Sequence, residues 1–272
     1  MAKNKGISAV CGKGTKLTFE HVPPRAAGNE EEVTIYSTEE WLSRDLLGEM
    51  PGGYVQPQGT GTISICKSCN EYSGKWYVPE FANFVHTGAG IFRQLTAATI
   101  EEADRSLEWK AVDFEITGMR ALPVVKQIIA SLLALNAPEF GQKNPDLVKF
   151  VLDHKLQGLP ERYRLYLCLF TGPIARFAGL AVELNVITQQ AVYMTELAHP
   201  PFAYLLTIDS EPSQPTGEIT VWSTRDFDEA RDERLLLTIG FGHTALPGDY
   251  RSKAKVEAEV AANNALLKEK TT

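Results

Sequence analysis

The chain has 272 residues, with 44% apolar and 22% charged residues, which suits one large or two smaller soluble globular domains. No apolar run reaches the roughly 18 residues of a membrane-spanning helix, and no apolar segment follows the charged N-terminus as in a secretory signal. The net charge of −7 disfavours a nucleic-acid partner. Residues 1–25 nevertheless carry five Lys or Arg against one acid, Glu20, so a local basic patch stays open.

The four cysteines indicate a reducing compartment and metal binding more than disulfides, because Cys66 and Cys69 form a Cys-x-x-Cys pair. We therefore expect a cytoplasmic protein. A Cys-x-x-Cys pair places two thiolates on one edge of a tetrahedral metal site. Cys11, followed by Gly-Lys-Gly, has the form of a zinc knuckle in which a ligand thiolate precedes a tight turn.

The first predicted strand, Leu17-Thr-Phe-Glu20, ends in Glu20-His21-Val-Pro-Pro. A phosphate-binding loop is a poor explanation of the preceding Gly-Lys-Gly, because Gly14 follows Lys13 where that motif needs Ser or Thr. A strand also follows where the motif needs the N-terminus of a helix. A carboxylate beside an imidazole, stiffened by prolines, is instead suited to holding a base next to a cation.

Residues 8–80 resemble the HNH endonuclease family, whose ββα-metal, or treble-clef, fingers are often stapled by a structural zinc. Three motifs carry the resemblance: Cys11-Gly-Lys, the Glu-His-Val-Pro-Pro block, and Ile65-Cys-Lys-Ser-Cys-Asn70. The resemblance implies cleavage of a phosphodiester bond with one metal ion, leaving a phosphate on the 5′ product.

The resemblance also implies roles for single residues. His21 matches the general base that activates water, and histidine has a pKa suited to that task. Glu20 and Asn70 match the ligands of a catalytic Mg²⁺ or Mn²⁺. The thiolates of a structural Zn²⁺ correspond to Cys11, Cys66 and Cys69.

The sequence departs from the family pattern at two places. Ser8 stands where a fourth cysteine is expected, so the zinc site is incomplete unless another residue or a water fills it; His86 is one option, whereas Cys168 reads as a core thiol. The middle Asn of the motif is expected about nine residues before Asn70. That segment offers only Thr60 and Thr62, and both stay open for the orienting role.

The remaining chain predicts helices and then strands. Residues 121–135 and 144–154 have helical spacing, with proline in each first turn. Turn signals separate the predicted strands, which cover residues 163–170, 175–184, 192–197, 202–208, 218–222 and 235–239. The Ala-, Glu- and Lys-rich tail at 252–270 predicts a terminal helix.

The sequence therefore predicts an α+β fold: a small N-terminal ββα-metal (HNH-like) zinc-finger module in residues 1–90, and a larger mixed helix and antiparallel-sheet domain in residues 91–272. The expected role of the second domain is oligomerisation, substrate positioning or sensing. The expected substrate is DNA, with RNA as an open alternative, and no membrane is expected to be involved. Bacterial proteins that fuse an HNH-like module to an unrelated domain suggest, by analogy, an antiphage or restriction effector.

Two other classes of function stay open. The first is a zinc-knuckle nucleic-acid-binding or scaffold protein without catalysis, which the departures at Ser8 and the middle Asn favour. The second is an enzyme centred on His199 or His243 in the C-terminal half.

Overall fold

The computed structural model of this chain describes residues 4–37, 39–40, 52–92, 111–170, 174–185, 190–212, 217–238 and 246–249, and a few positions of the C-terminal tail. Near the N-terminus, a three-stranded antiparallel sheet has the order β1-β2-β5 and consists of Lys5–Ile7, Gly14–His21 and Gly61–Cys66. Helix α1 (Lys67–Trp76) begins directly after β5, and helix α2 (Val78–Phe92) follows it.

Between β2 and β5 the chain leaves this small sheet and contributes to a second one. A single 3₁₀ turn, Arg25–Ala27, precedes β3 (Val33–Ile35) and β4 (Tyr54–Gln56). These two strands pair with each other, and β3 pairs with β13 (Leu246–Asp249) near the other end of the chain. The segment that follows His21 is therefore part of the large sheet.

The large sheet has eight strands in the order β11-β7-β10-β9-β8-β13-β3-β4. Its central strands are antiparallel neighbours and comprise β7 (Tyr163–Leu169), β8 (Ile174–Asn185), β9 (Gln190–His199) and β10 (Phe202–Ile208). Short β11 (Gly217–Glu218) forms one edge. All residues of β10 are buried, so both faces of the sheet centre are covered.

Helix α3 (Ala121–Leu135) lies in the core, with every residue before Leu135 buried. Two shorter helices follow, α4 (Pro138–Lys143) and α5 (Pro145–Leu152). The buried Lys126 on α3 donates hydrogen bonds to the Phe150 and Asp153 carbonyls at the end of α5. An ammonium at a helix C-terminus satisfies carbonyls that have no partner within the helix.

A separate two-stranded ribbon pairs β6 (Ala111–Arg120) with β12 (Ala230–Thr238). An ion pair between Asp113 and Arg234 crosses the ribbon on its exposed face. The chain has mixed helices and antiparallel sheets, which confirms the α+β prediction at that level. The boundary predicted at residue 90 falls inside α2, and buried residues from both sides of it share one hydrophobic cluster.

Several predicted elements agree with the structure and some do not. The helix at 121–135 and the strands around 163–208 are confirmed. The strand predicted at 218–222 is wrong: pairing stops at Glu218, and Thr220–Thr224 is a 3₁₀ turn that inserts Trp222 against Phe84, with ring centroids 5.9 Å apart. Strand β6 was not predicted. The described positions of the tail are helical, and the rest of the predicted tail helix lies outside the described residues.

Within the described part of the chain, no helix combines the length and the apolar character needed to cross a membrane.

Candidate metal-binding and catalytic site

The three N-terminal cysteines come together at one end of the small sheet. Cys11 lies in the turn between β1 and β2, Cys66 ends β5, and Cys69 lies in the first turn of α1. Their sulfur atoms all lie within 4.8 Å of one another, and the Cys11 and Cys66 sulfurs are 3.7 Å apart. The three cysteines are close enough to hold a metal ion such as zinc.

Hydrogen bonds around this cluster favour the thiolate at one of its cysteines. Burial alone would raise the pKa of Cys66, but hydrogen bonds from Ser68, the Cys69 backbone and Ser8 outweigh it and lower the pKa to about 6. Burial and the neighbouring thiols raise the pKa of Cys69 well above its usual range. Ionising a second cysteine beside the Cys66 thiolate is therefore unfavourable, and a bound cation would remove that cost.

Ser8 stands at the position where a fourth cysteine was expected, and its hydroxyl is a weak ligand for zinc. Ser8 is fully buried beside the cluster, and its hydroxyl accepts a hydrogen bond of 3.2 Å from the Cys66 N–H. His86 is not part of the cluster: its Nε2 is 2.9 Å from the Ala26 carbonyl. Cys168 lies buried in β7. Among the described residues, the donor set therefore suits zinc with three thiolates and a weak oxygen or water fourth ligand.

Glu20 is a buried residue of β2, one position before the strand ends at His21. The residue is 7% exposed, and its carboxyl receives no hydrogen bond from the described residues, so burial raises its pKa to about 7. Thr18, two residues earlier on the same face of the strand, is contacted by Asn70 of α1. Glu20 therefore lies on the face of β2 that α1 covers.

Asn70 joins α1 to β2 and leaves its amide oxygen available. Its Nδ2 donates to the Phe19 carbonyl at 3.2 Å and lies 3.5 Å from the Thr18 hydroxyl. No described residue donates to its Oδ1. Carboxylate and amide oxygens are hard ligands of the kind that Mg²⁺ prefers.

His21 is fixed in one tautomer by the loop opposite. Its Nε2 lies 2.9 Å from the carbonyl oxygen of Gln58, which can only accept a hydrogen bond. The neutral ring must therefore carry its proton on Nε2, and Nδ1 holds the free lone pair. The ring packs edge-on against Phe19, with centroids 4.9 Å apart. Because strand residues alternate, His21 faces the opposite side of β2 from Glu20.

A buried amide that the sequence did not point to holds the two loops of this site together. The Asn29 side chain donates to the carbonyls of Pro23 at 2.6 Å and Thr60 at 2.7 Å, and it accepts from the Thr60 N–H at 2.7 Å. The Thr60 hydroxyl donates to the Val22 carbonyl. These bonds fix the exit loop after His21 against the loop that carries Gln58.

We call these hydrogen bonds of Asn29 and Thr60 the loop lock. Of the two threonines predicted to orient the histidine, Thr60 takes part in the loop lock, whereas Thr62 pairs with Glu20 across the strands. The loop lock also requires Gly59, whose φ is +85° and where a Cβ would lie 2.3 Å from the Asn29 carbonyl oxygen. The only local signal for Asn29 is the Gly28-Asn29 turn dipeptide.

The histidines of the C-terminal half differ from His21. His199 is buried, its Nδ1 lies 3.0 Å from the Pro200 carbonyl, and burial lowers its pKa to about 4. Such a ring stays neutral inside the fold. His243 lies outside the described residues. Compared with known proteins, the chain matches no protein-family model, no curated protein and no solved structure.

Proposed function

We propose that this protein is a metal-dependent, HNH-type endonuclease that hydrolyses DNA phosphodiester bonds. The observation that carries the proposal is the hydrogen bond from His21 Nε2 to the Gln58 carbonyl, which leaves Nδ1 as a proton acceptor at the end of β2. A general base needs this combination of a fixed ring and a free lone pair.

The proposed chemistry uses the chain's own groups as follows. His21 Nδ1 removes a proton from the water that attacks phosphorus, and the Gln58 carbonyl stabilises the imidazolium that results. Glu20 and Asn70 would hold a divalent ion, Mg²⁺ or Mn²⁺, that neutralises charge on the scissile phosphate and the leaving oxygen. The cysteine cluster, with zinc, would tie β2, β5 and α1 together. Asn29 and Thr60 act as positioning residues because they hold both loops around His21.

A plasmid-nicking assay with Mg²⁺, Mn²⁺ or EDTA tests the proposal. Cleavage should require the ion and should disappear in His21→Ala. His86→Ala is the matched control, since His86 is an exposed histidine that also bonds a backbone carbonyl at 2.9 Å. Cleavage by His21→Ala at the wild-type rate, or no cleavage by folded, zinc-loaded wild type, would contradict the proposal.

One observation favours a second candidate, a zinc-knuckle protein that binds nucleic acid without cutting it. Glu20 and His21 lie on opposite faces of β2, and Glu20 is buried. This candidate predicts that wild type and His21→Ala bind DNA equally in a gel-shift assay, and that neither cuts. If cleavage is found, the analogy with antiphage effectors can be tested by comparing phage plating on cells that carry either form.

A further inference from the structure

A cleft of about 620 Å³ lies in the C-terminal half, between the segment that follows α3 and one end of strands β8, β9 and β10. None of the residues of the proposed cleavage site lines it. Small-molecule sites typically have volumes of roughly 300–1,000 Å³. The cleft is thus large enough for a small ligand. The proposed cleavage chemistry gives no role to the residues that line it.

The interior of the cleft is apolar. Phe140 of α4 and Ile208 of β10 both line it and are buried. On the sheet side, Leu180 and Tyr193 line it while remaining 52% and 47% exposed. Apolar side chains that line a concave, open wall lose contact with water when a ligand enters, and that loss favours binding of an apolar group.

The buried polar groups of the cleft are already satisfied within the fold. The Asn136 amide donates to the Leu132 carbonyl at 2.7 Å and to the Thr195 hydroxyl at 3.0 Å. Its oxygen accepts from the Leu180 N–H at 2.6 Å. Asn144 is bonded in a similar way. A ligand therefore does not have to supply polar groups inside the cleft. Only the charged residues at the rim would distinguish a charged ligand from an uncharged one.

The rim carries two acids and two bases. Arg162 is paired with Asp209 at 2.9 Å, so that pair contributes little net charge. Glu139 and Lys143 lie four residues apart on α4, and neither makes an ion pair within the part of the chain that the structure describes. Lys143 offers one ammonium to an anion, whereas the nearby Glu139 would repel a ligand with several negative charges.

We propose that this cleft binds a small amphipathic molecule, with an apolar aromatic or aliphatic body inside and a single acidic group at Lys143. The inference does not depend on the cleavage chemistry proposed above. The body would cover Leu180 and Tyr193, and the acidic group would remain at the mouth, where water still reaches it.

Two fluorescent probes test the proposal on the full-length protein: 8-anilinonaphthalene-1-sulfonate, which has one sulfonate, and the uncharged N-phenyl-1-naphthylamine. Both should bind at one saturable site. Lys143→Gln should weaken binding of the sulfonate probe roughly two- to fivefold and leave binding of the uncharged probe unchanged, since an ion pair that water still reaches contributes about that much.

A matched pair of variants locates the site. Ala191 lines the cleft, and its cross-strand partner Leu184 is exposed but does not line it. Ala191→Phe should obstruct part of the cleft and weaken the binding of both probes, whereas Leu184→Phe should leave their binding intact. Urea midpoints check that both variants are folded. No saturable binding, or equal loss in both variants, would overturn the proposal. Lack of any effect of Lys143→Gln would overturn the acidic group as its partner.

Discussion

Replacing Glu20 by Gln should stabilise the protein in the absence of divalent ions, because the carboxylate is buried without a hydrogen-bond donor. Burial raises its pKa from 4.5 to about 7. A group with a raised folded-state pKa costs no stability below the unfolded pKa of 4.5, and the cost grows as pH rises to about 7 and is constant above it. At roughly 1.4 kcal/mol per pKa unit, the full cost is about 3 kcal/mol.

Urea denaturation at pH 5 and pH 8, in buffer without Mg²⁺ or Mn²⁺, measures this difference. At pH 8 the Glu20→Gln variant should be more stable than wild type by about 1–3 kcal/mol, since the buried amide has a smaller cost of its own. At pH 5 most of the gain should vanish. Glu71→Gln, an exposed change on α1, is the control and should alter stability by less than about 1 kcal/mol at either pH.

The same experiment bears on the metal site. Added Mg²⁺ should stabilise wild type at pH 8 and should have little effect on Glu20→Gln, because an ion that binds only the folded state raises its stability. If Glu20→Gln is less stable than wild type by the same amount at pH 5 and pH 8, the carboxylate has a partner in the fold, and the reasoning for a cation site at Glu20 is refuted.

Two further predictions concern the neighbouring groups. Asn29→Ala should destabilise the protein by about 3 kcal/mol in urea denaturation, since it leaves the buried Thr60 N–H without its acceptor. The same variant should reduce cleavage more than DNA binding. Unchanged stability would contradict the role given to the Asn29–Thr60 hydrogen bonds. Ser8→Cys should complete a four-thiolate site and slow the loss of zinc to a chelator, whereas Ser8→Ala should not; equal zinc retention in both variants would place the fourth ligand elsewhere.

Features that depend on neighbouring residues in the chain could be predicted from the sequence. The alternation that ends at Glu20 predicts β2, and the apolar spacing of Ala121–Leu135 predicts α3, which the structure has with the same bounds. The Cys-x-x-Cys pair predicts two neighbouring thiols, and Cys11 joins them as expected.

Features that depend on distant pairing could not be predicted. Asn29 acts through Thr60, 31 residues away on the far side of β3 and β4, and no spacing rule covers that distance. Strand β6 carries charged residues on its exposed face, and its partner β12 lies more than 100 residues further along the chain. The burial of Glu20 depends on the helix that packs over β2, so its raised pKa could not be inferred from the Glu-His motif alone.

Residues 1–90 should not fold as an independent unit, although they contain all the residues of the proposed cleavage site. Phe84 of α2 stacks on Phe202 of β10 with ring centroids 4.6 Å apart, and Gly88 leaves room for the same ring, since a Cβ there would lie 2.3 Å from it. Strand β3 would also lose its pairing with β13. Without these partners, the fragment exposes large aromatic side chains and an unpaired strand edge.

We therefore expect the 1–90 fragment, even with zinc, to show no cooperative unfolding transition by circular dichroism and to aggregate at concentrations where the full chain remains monodisperse or in a defined oligomer. The full chain with Phe202→Ala should be destabilised by about 3 kcal/mol or more, because it removes a fully buried ring from the same contact. A cooperative, zinc-dependent transition of the fragment would show instead that the metal cluster and the small sheet suffice. The contacts to the large sheet would then serve to position the proposed cleavage site, and the folding of residues 1–90 would not depend on them.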